Sequence, residues 1–221
     1  MKIFALVNSS HKFYKSRLVW VYKTWLKHLD GHLVTTDIIN ETNPNINQKS
    51  FTTLDEHTSC SIKQWEGVKY IAKYYKGYDW YLLCDDDTFI NHKKLYDFAS
   101  KENPDISQMY GQSFRGAYPP KPTQLYLSGG AGMLVSRVAL QKIARCDTPP
   151  KAPRKNNGPG ENSDVKIGMI AELMGVKMNH SNLFHYTPLK KQKNKLEFMS
   201  NNISCHYMKG EQQLEAYNLI K

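Results

Sequence analysis

The stretch "YDWYLLCDDDTFI" (residues 78–90) places Asp85, Asp86 and Asp87 directly behind a run of aromatic and aliphatic side chains. Three adjacent carboxylates repel one another unless a cation sits among them or water screens them. Carboxylate oxygens suit Mg²⁺ or Mn²⁺, and such a site leaves coordination positions for substrate phosphates. The alternative is an exposed acidic turn; a position behind a buried strand favours the cation. Glu161 and Asp164 in "GENSDVKIG" stand just before a helix, where a carboxylate either caps amides or acts as a base. His185 in "LFHYTP" and His206 in "ISCHYM" have apolar neighbours in sequence, which suits a buried hydrogen-bonded ring as well as a metal ligand. Gly129 and Gly130 in "LSGGAG" form either a tight turn or a floor against which a substrate can approach backbone amides. This stretch is neither a Walker loop nor GxGxxG.

The elements that must hold these residues alternate between two periodicities. Ile3 to Val7 reads as a buried parallel strand ending in a turn. "KSRLVWVYKTWLKHL" follows as an amphipathic helix, with Leu18, Tyr22, Trp25, Leu26 and Leu29 on one face. "HLVTTD" is a second short strand and Asn40 to Thr58 a loop. Ser61 to Lys76 is helical again, its face marked by Ile62, Trp65, Val68 or Lys69, and Ala72, with Gly77 at the C-cap position. The strand "WYLLC" then delivers the aspartates. Strand, helix, strand, helix, strand predicts an α/β layer fold with a largely parallel sheet, in which ligands bind beyond the carboxyl ends of the strands. Downstream, "NHKKLYDFAS", "RVALQKIARC" and "SDVKIGMIAELMG" read as helices, "QMYGQSF" as a strand, "YPPKPTQ" as a Pro-rich turn and residues 147–160 as a mobile loop. There is no internal repeat, and no composition break marks a second domain.

A chain of 221 residues, 40% of them hydrophobic and 12% aromatic, is long enough for one substantial core. The formal charge of +10 draws anions such as nucleotides, nucleic acid or acidic headgroups. The basic residues are scattered and no nucleic-acid recognition motif occurs, so a nucleic-acid-binding module is the lesser alternative. Cys60, Cys84, Cys146 and Cys205 contain no CxxC pair, which argues against a zinc ribbon or thioredoxin-type site. The apolar run at the start is too short for a signal-peptide core or membrane span, so the chain as written is expected to be soluble, with a cytoplasmic location open.

Six blocks in order carry a resemblance over nearly the whole length: "RLVWVYKTW", "SIKQWEGVKYIAKYYKGYDWYLLCDDDTFIN", "YLSGGAGMLVSRVAL", "SDVKIGMIAELMGVKM", "LFHYTP" and "ISCHYMKGEQQLEAYNLI". Together they resemble the fringe and core 1 β1,3-galactosyltransferase family of glycosyltransferases. The resemblance implies a single GT-A domain over 1–221, a mostly parallel central sheet flanked by helices. Residues 1–100 would be mainly the nucleotide-binding half, and 101–221 the donor-sugar and acceptor half. It implies inverting, β1,3-type transfer from a UDP-sugar (a hexose or N-acetylhexosamine) to a hydroxyl of a glycan or glycoprotein, with Mn²⁺ or Mg²⁺ on the donor diphosphate. By position, Asp87 would ligate the metal with His206, and His185 is the runner-up to His206. Asp85 would lie by the ribose or the metal's water shell, Asp86 belonging to the same nucleotide set. Asp164 would be the base, with Glu161 as its alternative. Ser9, Arg17, Asp37 and Lys63 would meet the nucleotide, and Gly129 and Gly130 would floor the sugar pocket. Family members are usually anchored in the Golgi. A catalytically inactive relative that binds a UDP-sugar or glycan is the remaining alternative.

Overall fold

The structure, a computed structural model, describes residues 1–54, 59–118, 121–152 and 161–221. Alternation along the first and fourth strands builds its two cores. In β1 (Ile3–Asn8) and β4 (Trp80–Asp85), paired in parallel, Ile3, Ala5, Val7, Trp80, Leu82 and Cys84 face one layer of helices. Phe4, Leu6, Tyr81 and Leu83 face the other, as the period-2 geometry of a strand requires. Each fully buried Leu or Phe contributes on the order of 1.5–3 kcal/mol of apolar transfer, so strands buried on both faces anchor the whole arrangement.

The first layer holds α1 (Val19–Thr24), α3 (His92–Ala99), α6 (Lys195–Asn201) and α7 (Glu211–Leu219). The second holds α2 (Cys60–Tyr74), α4 (Arg137–Ala144) and α5 (Ser163–Leu173). Between them lie β2 (Gly31–Thr36), β3 (Gln48–Ser50), β6 (Gln108–Gly111), β9 (Met133–Ser136) and β10 (Lys177–His180). With β1 and β4 they form a seven-stranded sheet in the order β10-β6-β9-β4-β1-β2-β3. Only β9 runs against its neighbours, so the residues before β9 emerge at the same edge as those after β1 and β4. A hairpin of β7 (Ser113–Tyr118) and β8 (Lys121–Leu127) packs beside this edge. A two-residue ladder joins β5 (Phe89–Ile90) to β11 (Ser204–Cys205), tying the C-terminal region to the segment just after the aspartates.

Several local expectations are corrected. The first helix is not continuous: a 3-10 turn at His11–Phe13 and a π-helical turn at Tyr14–Leu18 precede α1. That wider turn lets Tyr14 and Leu18 enter the core while Arg17 reaches the aspartates, and single π turns recur at functional sites. The expected loop 40–58 contains β3, which pairs with β2; residues 55–58 lie outside the described residues. "QMYGQSF" is two strands rather than one, and most of the expected Pro-rich turn is β8, Pro119 and Pro120 lying outside the description. The expected mobile loop 147–160 is described only to residue 152. On α2, Ile62 is 44% exposed while Lys63 is buried, because the helix turns its N-terminal polar side toward the cleft. All four cysteines are free.

Candidate active site

β1 and β4 end side by side, Asn8 opposite Asp85, and a turn closed by the Thr88 amide on the Asp85 carbonyl (3.2 Å) carries the triplet. The three carboxylates splay to different partners. Asp86 turns inward, accepting from Ser9 Oγ at 2.7 Å and from Arg17 Nη1 at 2.9 Å. Asp87 meets the same Nη1 at 3.2 Å and His206 Nε2 at 3.0 Å. Arg17 itself lies 3.9 Å from the Phe13 ring centroid, a cation–π contact that fixes the guanidinium. Lys63 donates its ammonium to the Ser9 carbonyl.

Burial pushes the Asp85 carboxyl up to about 7; His206 opposes the rise, while Asp87, Asp86 and Asp164 add to it. Burial also raises Asp86, to about 6, against the pull of Arg17 and Ser9. Asp87 is likewise penalised by burial, but its hydrogen bond to His206, the His206 charge, Arg17 and Lys209 outweigh that and leave it below the usual carboxylate range. Burial thus works against charge on Asp85 and Asp86, while the cations around Asp87 keep it ionised.

Asp85, Asp87 and His206 each offer one ligand atom, all within 4.8 Å of one another. A hard divalent ion with bonds of about 2.1 Å keeps its ligand atoms roughly 3 to 4 Å apart, so a small closure would complete such a set. The buried His206 Nδ1 has no hydrogen-bond partner, which also fits a ring available to a cation. Gly130 makes room for that ring: a Cβ there would lie 2.1 Å from His206 Cε1. The residues present thus fit a divalent metal. His185 does not enter this cluster; its Nε2 bonds Asn202 Oδ1 at 2.9 Å and its ring packs on Phe198.

Asp164 opens α5 and faces the glycine loop, accepting from the Gly129 amide at 3.3 Å and the Val165 amide at 2.9 Å. Glu161 is engaged otherwise, in an ion pair with Lys166 at 2.6 Å and hydrogen bonds from Ser61 and the Ala152 amide. A cleft of about 740 Å³ joins Ser9, Arg17, Lys63, the three aspartates, Gly129, Gly130, Asp164 and His206, a size that suits a small-molecule ligand. Of the residues singled out in the sequence for this site, Asp37 alone among the leading ones stays out of the lining. It is buried beyond β2 and accepts from the His11 amide and ring, both at 2.8 Å; these bonds override the burial penalty and hold its carboxyl well below the usual range. Sequence reading missed the aromatic wall of Phe114, Tyr126, Tyr186 and Tyr207. Its members come from a hairpin and two loops with no shared period; the "HY" pairs were the available signal.

A cleft at the carboxyl edge of an α/β sheet, with an acidic turn on one side and a carboxylate at a helix start on the other, defines the class. The fold is that of the GT-A glycosyltransferases. Two solved structures share it: a glycosyltransferase involved in glycosylation of the major capsid of PBCV-1 (TM-score 0.54, 12% identity, 100% of this chain and 98% of that one), and an active-site mutant of LgtC (TM-score 0.55, 13% identity, 92% and 86%).

The profile of the Fringe-like family matches residues 1–221, and the chain belongs to that family. Similar curated proteins include a Mus musculus beta-1,3-glucosyltransferase, 27% identical over 193 residues (83% of this chain, 36% of the relative). Danio rerio manic fringe, a beta-1,3-N-acetylglucosaminyltransferase, is 24% identical over 202 residues (83% and 55%). A Xenopus laevis glycoprotein-N-acetylgalactosamine 3-beta-galactosyltransferase is 28% identical over 163 residues (73% and 42%). The chain thus spans between about a third and just over half the length of these relatives. No helix among the described residues is long and apolar enough to cross a membrane.

Proposed function

We propose that this chain is a metal-dependent, inverting glycosyltransferase that moves a sugar from a UDP-sugar to a hydroxyl of a glycan or glycoprotein acceptor, with β1,3-type linkage. The observation that carries the reading is the convergence of Asp85, Asp87 and His206 in the cleft that Asp164 enters from α5. The names of these relatives support a β1,3 product, and that of a Rattus norvegicus relative, a UDP-GlcNAc:betaGal beta-1,3-N-acetylglucosaminyltransferase, supports a UDP-sugar donor.

In this reading Asp85, Asp87 and His206 would hold Mn²⁺ or Mg²⁺. When bound, the ion supplies Lewis-acid neutralisation of the charge that develops on the leaving diphosphate. Ser9, Arg17, Lys63 and Asp86 shape the nucleotide side of the cleft: Arg17 braces the acidic turn, and Lys63 contributes positive charge beside Ser9. Gly129 and Gly130 bring bare backbone toward the donor sugar. Asp164, steered by the Gly129 and Val165 amides, takes the proton of the acceptor hydroxyl as its oxygen attacks the anomeric carbon. The bond from that carbon to the UDP oxygen breaks, and the electron pair leaves on UDP. Attack opposite the leaving group inverts the configuration. General-base assistance of this kind contributes typically 10²–10⁴-fold.

Two variants separate the roles. Asp87→Ala is expected to abolish Mn²⁺-dependent UDP binding in calorimetry. Asp164→Asn is expected to bind UDP normally and to lose transfer by about 10²-fold or more. Wild-type transfer by Asp164→Asn would overturn the assignment of the base, and metal-independent UDP binding would overturn that of the ion.

A further inference from the structure

Tyr207 follows the candidate ligand His206 and is the one non-glycine residue with positive φ, 58°, among the described residues. A bulky side chain rarely adopts the left-handed region, and such strain clusters at functional sites. The turn is held by the Met208 amide on the Asp87 carbonyl at 2.8 Å. Its result is a ring stacked on His206 (centroids 3.8 Å, 25° between planes) that remains 48% exposed. Tyr186, 41% exposed, is braced edge-on by Phe114 at 5.4 Å. These two tyrosines line the donor cleft and also a second, adjoining cleft of about 840 Å³.

The second cleft differs in charge from the first. Its charged lining is Lys190, Lys191 and Lys209 against Glu211 alone. Among the described residues none of these lysines has a carboxylate within ion-pair distance; the ion pairs of this region are Lys195 with Glu215 and His206 with Asp87. Exposed aromatic faces offer apolar, amphipathic surfaces for a sugar ring. Ammonium groups without a close counter-ion in a concave site concentrate a positive field, although Lys209 also acts on Asp87 across the boundary of the two clefts. The first cleft has cations of its own in its lining, Lys12, Arg17 and Lys63.

We propose that the second cleft is the acceptor subsite and that it takes an acidic oligosaccharide: a sugar packed against Tyr186 and Tyr207, with a carboxylate, sulfate or phosphate ester on it or on the adjoining residue facing Lys190, Lys191 and Lys209. This rests on the glycosyltransferase reading and adds the acceptor's chemical class. The charge would enter through acceptor affinity rather than through the chemical step.

The test is a panel of neutral, uronate-bearing, sulfated and phosphorylated oligosaccharides of the same core, titrated into the intact chain with and without Mn²⁺ and UDP. At low salt, acidic members are expected to bind about ten-fold tighter than the neutral core, the scale of two or three exposed ion pairs, with the advantage fading as salt screens it. A Lys190→Glu, Lys191→Glu double variant is expected to lose the preference while keeping Mn²⁺-dependent UDP binding. The salt dependence of the wild type tests the same point without any variant. Equal affinity for neutral and acidic members, or loss of UDP binding in the double variant, would overturn the subsite. UDP binding is read separately, so a wild-type chain that fails to bind UDP refutes the glycosyltransferase reading whatever the glycan panel returns. The three acidic arms distinguish which anion is preferred.

Discussion

Gly130 owes its identity to a neighbour. Any side chain there collides with the imidazole of His206, which bonds Asp87 and stacks on Tyr207. The Gly130→Ala variant is therefore expected to displace the ring and weaken Mn²⁺-dependent UDP binding by about ten- to a hundred-fold, as for other changes that reorient a metal ligand. Calorimetry checks this; unchanged affinity would remove His206 from the ligand set. At this scale the acidic triplet was legible because three adjacent carboxylates behind an apolar strand demand an explanation in sequence. The partners were less so. Arg17 stands 69 residues from Asp86, and only its matching position in a family motif marked it. Asp37 shows the opposite case: the carboxylate just beyond a strand end, expected at the nucleotide, is engaged by the local His11 turn and lies outside the cleft lining.

The carboxyl edge of the sheet is set by packing between helices and strands, and α5 is the element that positions Asp164, the proposed base. It packs on β8 so closely that a Cβ at Gly168 would lie 2.7 Å from Tyr126 Cβ and 3.0 Å from the Leu125 carbonyl oxygen. Replacing a mid-helix glycine by alanine ordinarily gains up to about 1 kcal/mol of helix propensity, but here the obstacle includes backbone and cannot rotate away. Gly168→Ala is expected to lower the melting temperature and to reduce turnover more than UDP affinity, since α5 carries Asp164 and not the acidic turn. A thermal melt and steady-state kinetics decide it; a stabilised, fully active variant would show that α5 sits looser on the hairpin. The strands and helices with strong periodicity, β1, β4, α2, α4 and α5, were readable within a few residues. β3, β5 and β11 were not, because strands of two or three residues take their pairing from distant partners. The broken first helix also escaped, since its apolar spacing is helical while the pull of the acidic turn on Arg17 is tertiary.

Across the whole molecule, a stack on the helical layer away from the cleft sets one response to acid. His92, His28 and Tyr217 pile ring on ring at 4.5 and 5.8 Å. Burial, with His28 and Lys93 nearby, lowers His92 to about 4; burial, Lys27 and Lys93 lower His28 as well. Between about pH 6.5 and 4 the unfolded chain binds a proton that the folded His92 refuses, so the stack's own contribution to stability falls as the pH drops through this window and is flat above it. His92→Gln is expected to lose less melting temperature between about pH 7 and pH 5 than the wild type. Identical losses would mean that the stack opens freely. A second property of the whole chain follows from the β5–β11 ladder, which brings His206 to Asp87 across 119 positions. During synthesis the aspartates leave the ribosome long before the imidazole that completes their set, so a nascent chain carries the acidic turn without its full grip on a cation. On the proposed metal-site reading, a divalent ion would join only after the last strand has docked, and a chain cut short before residue 204 is expected to lack the Mn²⁺-dependent UDP binding of the full chain.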